Sequence, residues 1–487
     1  MPSTGLAAGT DQGDAFWPCI IGGVSFDARL GAAVIAGKGT ARTSQLLRRG
    51  GGTTLPGDVG RRVDRALLQK LARQIEHATV LVTGTNGKTT TTAMITHVLR
   101  NAEWRVVTNA SGANLVPGIS AALIKSSSWS GRLSAQAGVF EVDEFWLEQA
   151  VTAIHAKLVV VMNLVRDQLD RSGELETAAL RVGAALRKLG SDACVVANVD
   201  DPLLYTQVRL LPNVTGVGIE SDAFRLSELH HSADARDCPL CESPLAFERI
   251  VAAHFGKYHC TNCDFARPAP QHAVTGFVAV EFDRLQLRLD EEIEVSVALG
   301  GIYNAYNVIA TFAACLALGL DAATIVSGLK TFRAHFGRQE PFEFGGRRMH
   351  MLLAKNPTSF NEVLRTADEF GHIENYLIAI NDNIADSRDI SWLWDVDFER
   401  LAGSHEQPHI VASGKRAEDL AVRLKYAGVP ADRVKVEPDL ATALQLAATM
   451  GDGSSQVAVL PTYTAMLGLR EVAQRENTVR PFWKEAS

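Results

Sequence analysis

The stretch "VTGTNGKTTTT", residues 82–92, constrains the fold of this chain more than any other. An apolar run, "ATVLVTG", enters it and "KTTTTAMITHVLRNA" leaves it, so the pattern reads strand, glycine loop, helix. Gly84 and Gly87 let the backbone curl until its N–H groups face an anion, and the start of the helix adds positive potential there. Along Gly84, Thr85, Asn86, Gly87, Lys88, Thr89 and Thr90, the lysine can reach outer phosphates and Thr89 can ligate magnesium. The loop is two residues shorter than the common GxxxxGK[ST] form. ATP with Mg2+ is the ligand it suits.

The same rhythm continues downstream. "WRVVTNASGANL", "AGVFEVDEFWL", "AKLVVVMNLVRDQLD" and "DACVVANVDDP" each supply a short apolar strand followed by polar chemistry, with helix-like "ELETAALRVGAALRKLG" between the last two. Alternation of this kind predicts a parallel sheet covered by helices. From about 221 to 269 it fails, and the composition becomes polar and cysteine-rich, as in an inserted module. "GFVAVEFDRLQLRLDEEIEVSVAL" then leads into helical "GGIYNAYNVIATFAACLALGL". Beyond "EFGGRR", the segments "HMLLAKNP", "NYLIAIND", "PHIVASG", "DRVKVEP" and "QVAVLPTYTAM" recur at βα spacing. The expected organisation is a tail and basic helical segment over 1–49, an ATP-binding α/β domain over 50–345 with its insertion at 221–269, and a smaller α/β domain over 346–487.

A length of 487 residues accommodates this arrangement, at roughly two or three domains of ordinary size. With 46% hydrophobic and 21% charged residues the chain can bury sizeable cores. Its net charge of −7 supplies no general basic field, so no nucleic-acid partner is expected. The longest apolar runs fall well short of the ~20 residues that span a bilayer. Near the start, Asp27 and Arg29 interrupt "WPCIIGGVSFDARLGAAVIAG" and no basic stretch precedes it, which argues against a signal peptide. A cytoplasmic location is expected. Among seven cysteines, Cys19, Cys194 and Cys315 lie in apolar segments like buried free thiols.

The other four have a definite spacing. Cys238-x2-Cys241 and Cys260-x2-Cys263 stand 18 residues apart, the pattern of a four-cysteine zinc ribbon. Each pair supplies two thiolates from a tight knuckle; four fill a tetrahedral shell and leave no place for water, so the Zn2+ would be structural. His254 and His259 read as bystanders. Lys257 and Arg267 are the only nearby support for nucleic-acid contact, and they are weak support.

The spelling "TGTNGKTT" resembles the ATP loop of the Mur ligase family, whose members couple ATP cleavage to amide formation at a carboxylate. "EVDE" at 141–144 resembles its magnesium-binding acidic motif, "NLVRDQLD" at 163–170 its N-x-x-x-D-H-L-D segment, and "YNAYN" at 303–307 its H-N-x-x-N nucleotide motif. Gly337-Arg338 is similar to the Gly-Arg near its domain junction. The resemblance implies a central P-loop ATPase domain in which Glu141 shares a magnesium with Thr89, Glu144 being the substitute, while Asn304 and Arg338 contact nucleotide. Asn304 could instead cap its helix. Two departures stand out: Gln168 replaces the usual metal-binding histidine, and the helix after Asp170 lacks the lysine expected to be carbamylated. No N-terminal domain for a UDP-linked precursor is apparent either. In "HMLLAKNP", Asn356 and Pro357 match a related "AHNP" motif, but Lys355 takes the place of its histidine; it could face phosphate or solvent.

From about residue 28 onward, the insertion together with "NDNIADSRDISWLWDVDFE", "SGKRAEDLAVRLKYAGV" and "LPTYTAMLGLR" resembles the amidating branch of that family. What that branch implies is a glutamine-hydrolysing carbon–nitrogen ligase: ATP turns the D-glutamate α-carboxylate of the lipid II stem peptide into an acyl phosphate, and ammonia from a GatD-type class I glutaminase partner converts it to D-isoglutamine. A glutaminase needs cysteine, histidine and carboxylate, and no such Cys–His pair can be made out in this chain. The resemblance places that pair on the partner and an acid in "NDNIADSRD" as the third member, Asp386 first, with Asp389 and Asp382 behind it. By itself an acid in such a turn caps a helix or pairs with arginine, here Arg388. Two other readings stay open: a stand-alone Mur-like or folylpolyglutamate-type ligase, and a zinc-ribbon nucleic-acid-binding ATPase.

Overall fold

The computed structural model describes residues 27–46, 54–109, 112–167, 175–230, 233–333, 338–371, 373–403, 408–451 and 456–476. Three sheets organise them. The first holds β1 (Ile75–Thr83), β2 (Val106–Thr108), β3 (Ala135–Glu141), β4 (Leu158–Val161), β5 (Cys194–Asn198) and β6 (Val214–Ile219). After the small hairpin β7 (Leu245–Ala252) and β8 (Phe255–Cys260), it gains β9 (His272–Val280), β10 (Leu285–Leu289) and β11 (Ile293–Val297). Its order is β11-β10-β9-β6-β5-β4-β1-β3-β2, parallel from β2 through β9 and antiparallel beyond.

The near-continuous apolar runs read from the sequence are strands buried on both faces, as parallel sheets require. Successive side chains of β1 go to opposite faces. Val80 and Val82 join Val98 and Ile309 in one core, whereas Leu81 joins Phe140, Val159 and Ile119 in the other. The second core also takes Leu30, Ala33 and Val34 from helix Ala28–Leu46. That helix therefore packs as part of the first domain and not as a separate segment.

The second sheet comprises β12 (Arg338–Phe344), β13 (Arg347–Leu352), β14 (Asn375–Ala379), β15 (His409–Ser413), β16 (Val434–Glu437) and β17 (Val457–Pro461), in the order β12-β13-β17-β14-β15-β16. Here the expected boundary at 345 shifts. Gly345 and Gly346, at φ 58° and 77°, form the turn of the β12–β13 hairpin. Both angles are those of a two-residue hairpin turn that glycine adopts freely. The glycine pair is thus internal to the second domain, whose sheet already begins at Arg338.

The inserted cysteine module is the β7–β8 hairpin with flanking turns. Cys238, Leu245, Tyr258, Cys260 and Phe265 form its own small core. Phe265 stacks on Tyr205 at 5.7 Å, while Val251, Ala252 and Phe255 at the hairpin tip enter the main core. That tip also meets the second domain, Arg365 donating to the Val251 carbonyl at 2.9 Å, and Phe224, in the segment before the hairpin, lies edge-on to Phe370 at 5.2 Å. Among the described residues no helix is long and apolar enough to cross a membrane.

Candidate active site

β1 lies between β3 and β4, so the connections out of it diverge to opposite sides, and the carboxyl ends of these strands frame a crevice. Residues 84–90 form its floor. Gly87, at φ 87°, starts helix Lys88–Asn101 without any side-chain cap, which leaves the first-turn N–H groups pointing out of the helix. A Cβ there would stand 2.4 Å from Asn307 Oδ1, so glycine is required by space as well as by angle. The Thr85 N–H is held by the Asn163 carbonyl at 2.8 Å. Asn163 Oδ1 takes the Asn86 N–H at 2.9 Å, and its amide returns a bond to the Asn86 carbonyl at 3.1 Å.

Lys88 is buried and turned back on the loop. Its ammonium donates to the Gly84 carbonyl, to the Thr85 carbonyl at 3.1 Å and to Glu144 Oε2 at 3.1 Å. Burial alone would lower its pKa, but Glu144, then Asp143, Glu141 and Asp167, more than offset this and raise it. For Glu144 the balance is reversed: burial would raise its pKa, and Lys88 and then Lys355 pull it below the usual carboxylate range. Glu144 therefore serves as the counter-charge of Lys88 here. Thr89 instead donates its hydroxyl to Glu141 Oε2 at 2.9 Å. Asn109 braces that glutamate from both sides of its backbone, accepting its N–H and donating to its carbonyl at 2.9 Å each. Thr89 and Glu141 are thus adjacent oxygen donors, a pairing that suits a hard cation.

Asn304 is buried on helix Tyr303–Ala317 and does not cap it. Its amide donates to the Gly300 carbonyl at 2.7 Å, and its oxygen accepts from Asn307 at 2.7 Å. Through Asn307 it reaches Thr91 at 3.3 Å, in the first turn after the loop. Thr90 is buried beside it. Arg338 opens β12, but its side chain lies outside the described residues, as do Gln168, Asp170 and Cys19. Asn163, Asn109 and Asn307 are the supports that sequence reading missed as individual residues; Asn163 and Asn307 stood inside quoted motifs, and Asn109 carried no signal.

The second domain closes one side of the crevice. Asn86 and Asn356 exchange side-chain hydrogen bonds at 3.3 and 3.2 Å. Lys355 pairs with Asp167 and acts on Glu144, so it faces acids beside the glycine loop and not open solvent. Arg166, next in the chain, contacts Asp234 and, at 3.5 Å, Asp395.

The acids of 381–395 form a separate locus at the carboxyl ends of β14 and β17. Asp386 is 2% exposed, and both its oxygens accept from Thr464 at the start of helix Tyr463–Arg475. Burial raises its pKa against those hydrogen bonds. Asp389 is exposed and takes the Ser391 N–H at 2.9 Å. Asp382 pairs with Arg416 at 2.7 Å, which lowers its pKa. Trp392 packs against Phe360 at 5.4 Å, while Trp394 is exposed.

In the cysteine module, the Sγ atoms of Cys238, Cys241, Cys260 and Cys263 all lie within 4.8 Å of one another. Closest approaches are 3.4 Å for Cys241–Cys260, 3.5 Å for Cys241–Cys263 and 3.7 Å for Cys238–Cys263. A tetrahedral ion bound about 2.3 Å from each sulfur would hold them about 3.8 Å apart, whereas a disulfide needs about 2 Å. The four sulfurs fit a metal ion. His254 lies near Asp201 and His259 near Glu248, and neither joins the sulfurs. Lys257 pairs with Glu248 at 2.7 Å. Arg267 is buried on Asp200 and Glu220. Both cations once considered for nucleic acid are therefore engaged.

Residues 82–267 match the Mur ligase middle domain, and residues 353–466 match the family described as MurT ligase C-terminal. Among solved structures, a pseudomurein peptide ligase type C from Methanothermus fervidus superposes with a TM-score of 0.65 at 23% identity, covering 83% of this chain and 80% of that one. MurF ligase from Thermotoga maritima in complex with ADP gives 0.59 at 14% identity, over 86% and 83%. Fold and loop together define a protein of the Mur ligase class. Similarity along the chain is more specific. The lipid II isoglutaminyl synthase (glutamine-hydrolyzing) subunit MurT of Streptococcus pneumoniae (strain ATCC BAA-255 / R6) is 34% identical over 438 residues, 89% of this chain and 95% of that one. That of Staphylococcus aureus (strain COL) is 33% identical over 426 residues, 87% and 93%. The chain belongs to the MurT family of Mur ligase-type subunits.

Proposed function

We propose that this chain is the synthetase subunit of a lipid II isoglutaminyl synthase, an ATP-dependent, glutamine-hydrolysing ligase. The observation that carries the reading is the uncapped loop helix with Thr89 and Glu141 paired at 2.9 Å, in a chain that matches MurT subunits along nearly their whole length. A carboxylate is inert toward ammonia until a leaving group is attached. Its oxygen attacks the γ-phosphorus of ATP, the bond to the β-phosphate oxygen breaks, and ADP departs. Ammonia then attacks the acyl carbon, phosphate leaves, and the amide sheds a proton.

Each residue has a place in that sequence. The N–H groups of 87–90 and the Lys88 ammonium receive phosphate oxygens, for which Lys88 turns from the Gly84 and Thr85 carbonyls. Thr89 and Glu141 would hold magnesium, which neutralises charge between the attacking oxygen and the phosphates. Asn304 and Arg338 are assigned to the nucleotide. Residues 84–90 are in this reading a shortened P-loop. The four cysteines would hold Zn2+ as a structural ion in a ribbon, since a four-sulfur shell offers no position for water or substrate.

Ammonia comes from a GatD-type glutaminase partner, with Asp386 orienting the partner's histidine and Asp389 as the alternate. Asp386 already accepts twice from Thr464, and a carboxylate has further lone pairs for an imidazole N–H. Chain and partner, given lipid II, ATP and glutamine, yield the amidated product by mass spectrometry. An unchanged product mass from a preparation that hydrolyses ATP and glutamine overturns the assignment.

A further inference from the structure

At the other end of helix Val116–Ser126 from Glu141, Trp129 is 46% exposed, with the Arg42 guanidinium 4.9 Å and the Lys38 ammonium 5.3 Å from its ring centre. Lys38 is tied down by a 2.5 Å bond to the Ser127 carbonyl. Ile35, 54% exposed, lies three residues before Lys38 and seven before Arg42, on the same helix face. Leu55, 50% exposed, adjoins Pro56, whose carbonyl stands 2.9 Å from where a Cβ on Gly37 would lie. Lys125 and Arg132 are exposed on either side of Trp129.

Neither Lys38 nor Arg42 forms an ion pair among the described residues, and neither 28–46 nor 115–134 contains an Asp or Glu, Asp58 being the one acid on the adjoining helix Leu55–Val63. Partial burial, and then the nearby Arg42, hold the Lys38 pKa below its usual value, as befits two cations without a counter-charge. A phosphate backbone would use the cations, but it would gain nothing from Ile35 and Leu55. A lipid surface uses both. Tryptophan favours the headgroup level, apolar side chains sink into the headgroup boundary, and Lys or Arg stems carry their charge to anionic lipid phosphates.

We infer that the face formed by Ile35, Lys38, Arg42, Leu55 and Trp129 rests on an anionic membrane surface. The inference deepens the proposed function, because a lipid-borne acceptor must be met at a membrane. Helix Val116–Ser126 connects the two places. Asn114, just before it, donates to Glu141 at 3.5 Å, and Ser127 just after it receives Lys38. Eleven helical residues span about 17 Å, so the membrane would lie about one helix length from Glu141.

The test is flotation of the full chain with its partner on phosphatidylglycerol–phosphatidylcholine vesicles that contain no lipid II, so that failure of the acceptor assignment does not affect it. Wild type binds these vesicles and not pure phosphatidylcholine. Trp129→Ser with Arg42→Glu weakens binding at least about tenfold, with an unchanged melting temperature. Should that pair unfold, Arg42→Ala alone weakens binding measurably. Wild-type indifference to phosphatidylglycerol, equal binding by folded variants, RNA captured in place of vesicles, or a dimer that the variants disrupt would each overturn the inference.

Discussion

Asp386 and Thr464 hold each other twice, the Thr464 N–H meeting Oδ1 at 2.7 Å and its hydroxyl meeting Oδ2. The same hydroxyl accepts from Asn381 at 2.9 Å and from Asn383 at 2.6 Å. Two acceptor positions are thereby filled, so its own proton must point at Asp386, which must accept. Asp386→Asn puts a donor against that hydroxyl, and a loss of about 1–3 kcal/mol is expected.

Glutamine use separates anchoring from catalysis. Thr464→Val costs a similar amount of stability but retains glutamine-dependent amidation. Asp386→Asn loses that amidation, and added ammonium salt restores it. Urea midpoints and product assays with both nitrogen donors check this. Loss of glutamine use in Asp389→Asn, with Asp386→Asn active, moves the role to Asp389.

Glu144 and Lys88 give a pH prediction. The folded pKa of Glu144 lies below its ordinary 4.5, so its contribution is present above that value and lost as pH falls through the folded pKa. Glu144→Gln removes this acid limb and, by leaving Lys88 buried without its partner, destabilises the protein at neutral pH by about 3–5 kcal/mol. Denaturation at a series of pH values measures both effects.

His350 adds a second window. Burial, helped by Arg348, lowers its pKa from 6.5 to about 4. The unfolded chain therefore gains a proton first, and stability falls as pH drops from about 6.5 to 4. In His350→Phe the slope over that range is shallower.

Thr89→Ala and Glu141→Gln are expected to raise the magnesium concentration needed for half-maximal ATP turnover by about 10–100-fold. Melting temperatures stay close to wild type, since Asn109 braces Glu141 through its backbone and not its carboxylate. Magnesium titrations of ATP hydrolysis read this out directly.

For the cysteine module, one equivalent of zinc per chain by elemental analysis is expected. A strong chelator or Cys260→Ser lowers the melting temperature. The loss extends to the second domain because Arg365 bonds the Val251 carbonyl on the same hairpin, and exchange of the amides near that contact measures it.

Local features were legible in the sequence. The glycine loop, the two CxxC knuckles and the buried strands depend on spacing over a few residues, and β1, β4 and β5 appear where apolar runs required them. The expected boundary at 345 falls inside the β12–β13 hairpin, because Gly-Gly reads alike as a break or a hairpin turn until a partner strand is seen. Within one motif the sequence put Glu141 first and Glu144 as its substitute. Only the approach of Lys88 to one and Thr89 to the other separates them.

The residue types of this chain, and their order, determined that it is an α/β protein with a glycine loop between strand and helix and, in its insertion, four cysteines spaced as metal ligands are. Tertiary structure alone decided which groups meet: Asn86 with Asn356 across 270 positions, Lys355 with Asp167 across 188, Asp386 with Thr464 across 78. Such pairings leave no period in the sequence, because they arise when separate sheets pack and buried polar groups must each find a partner.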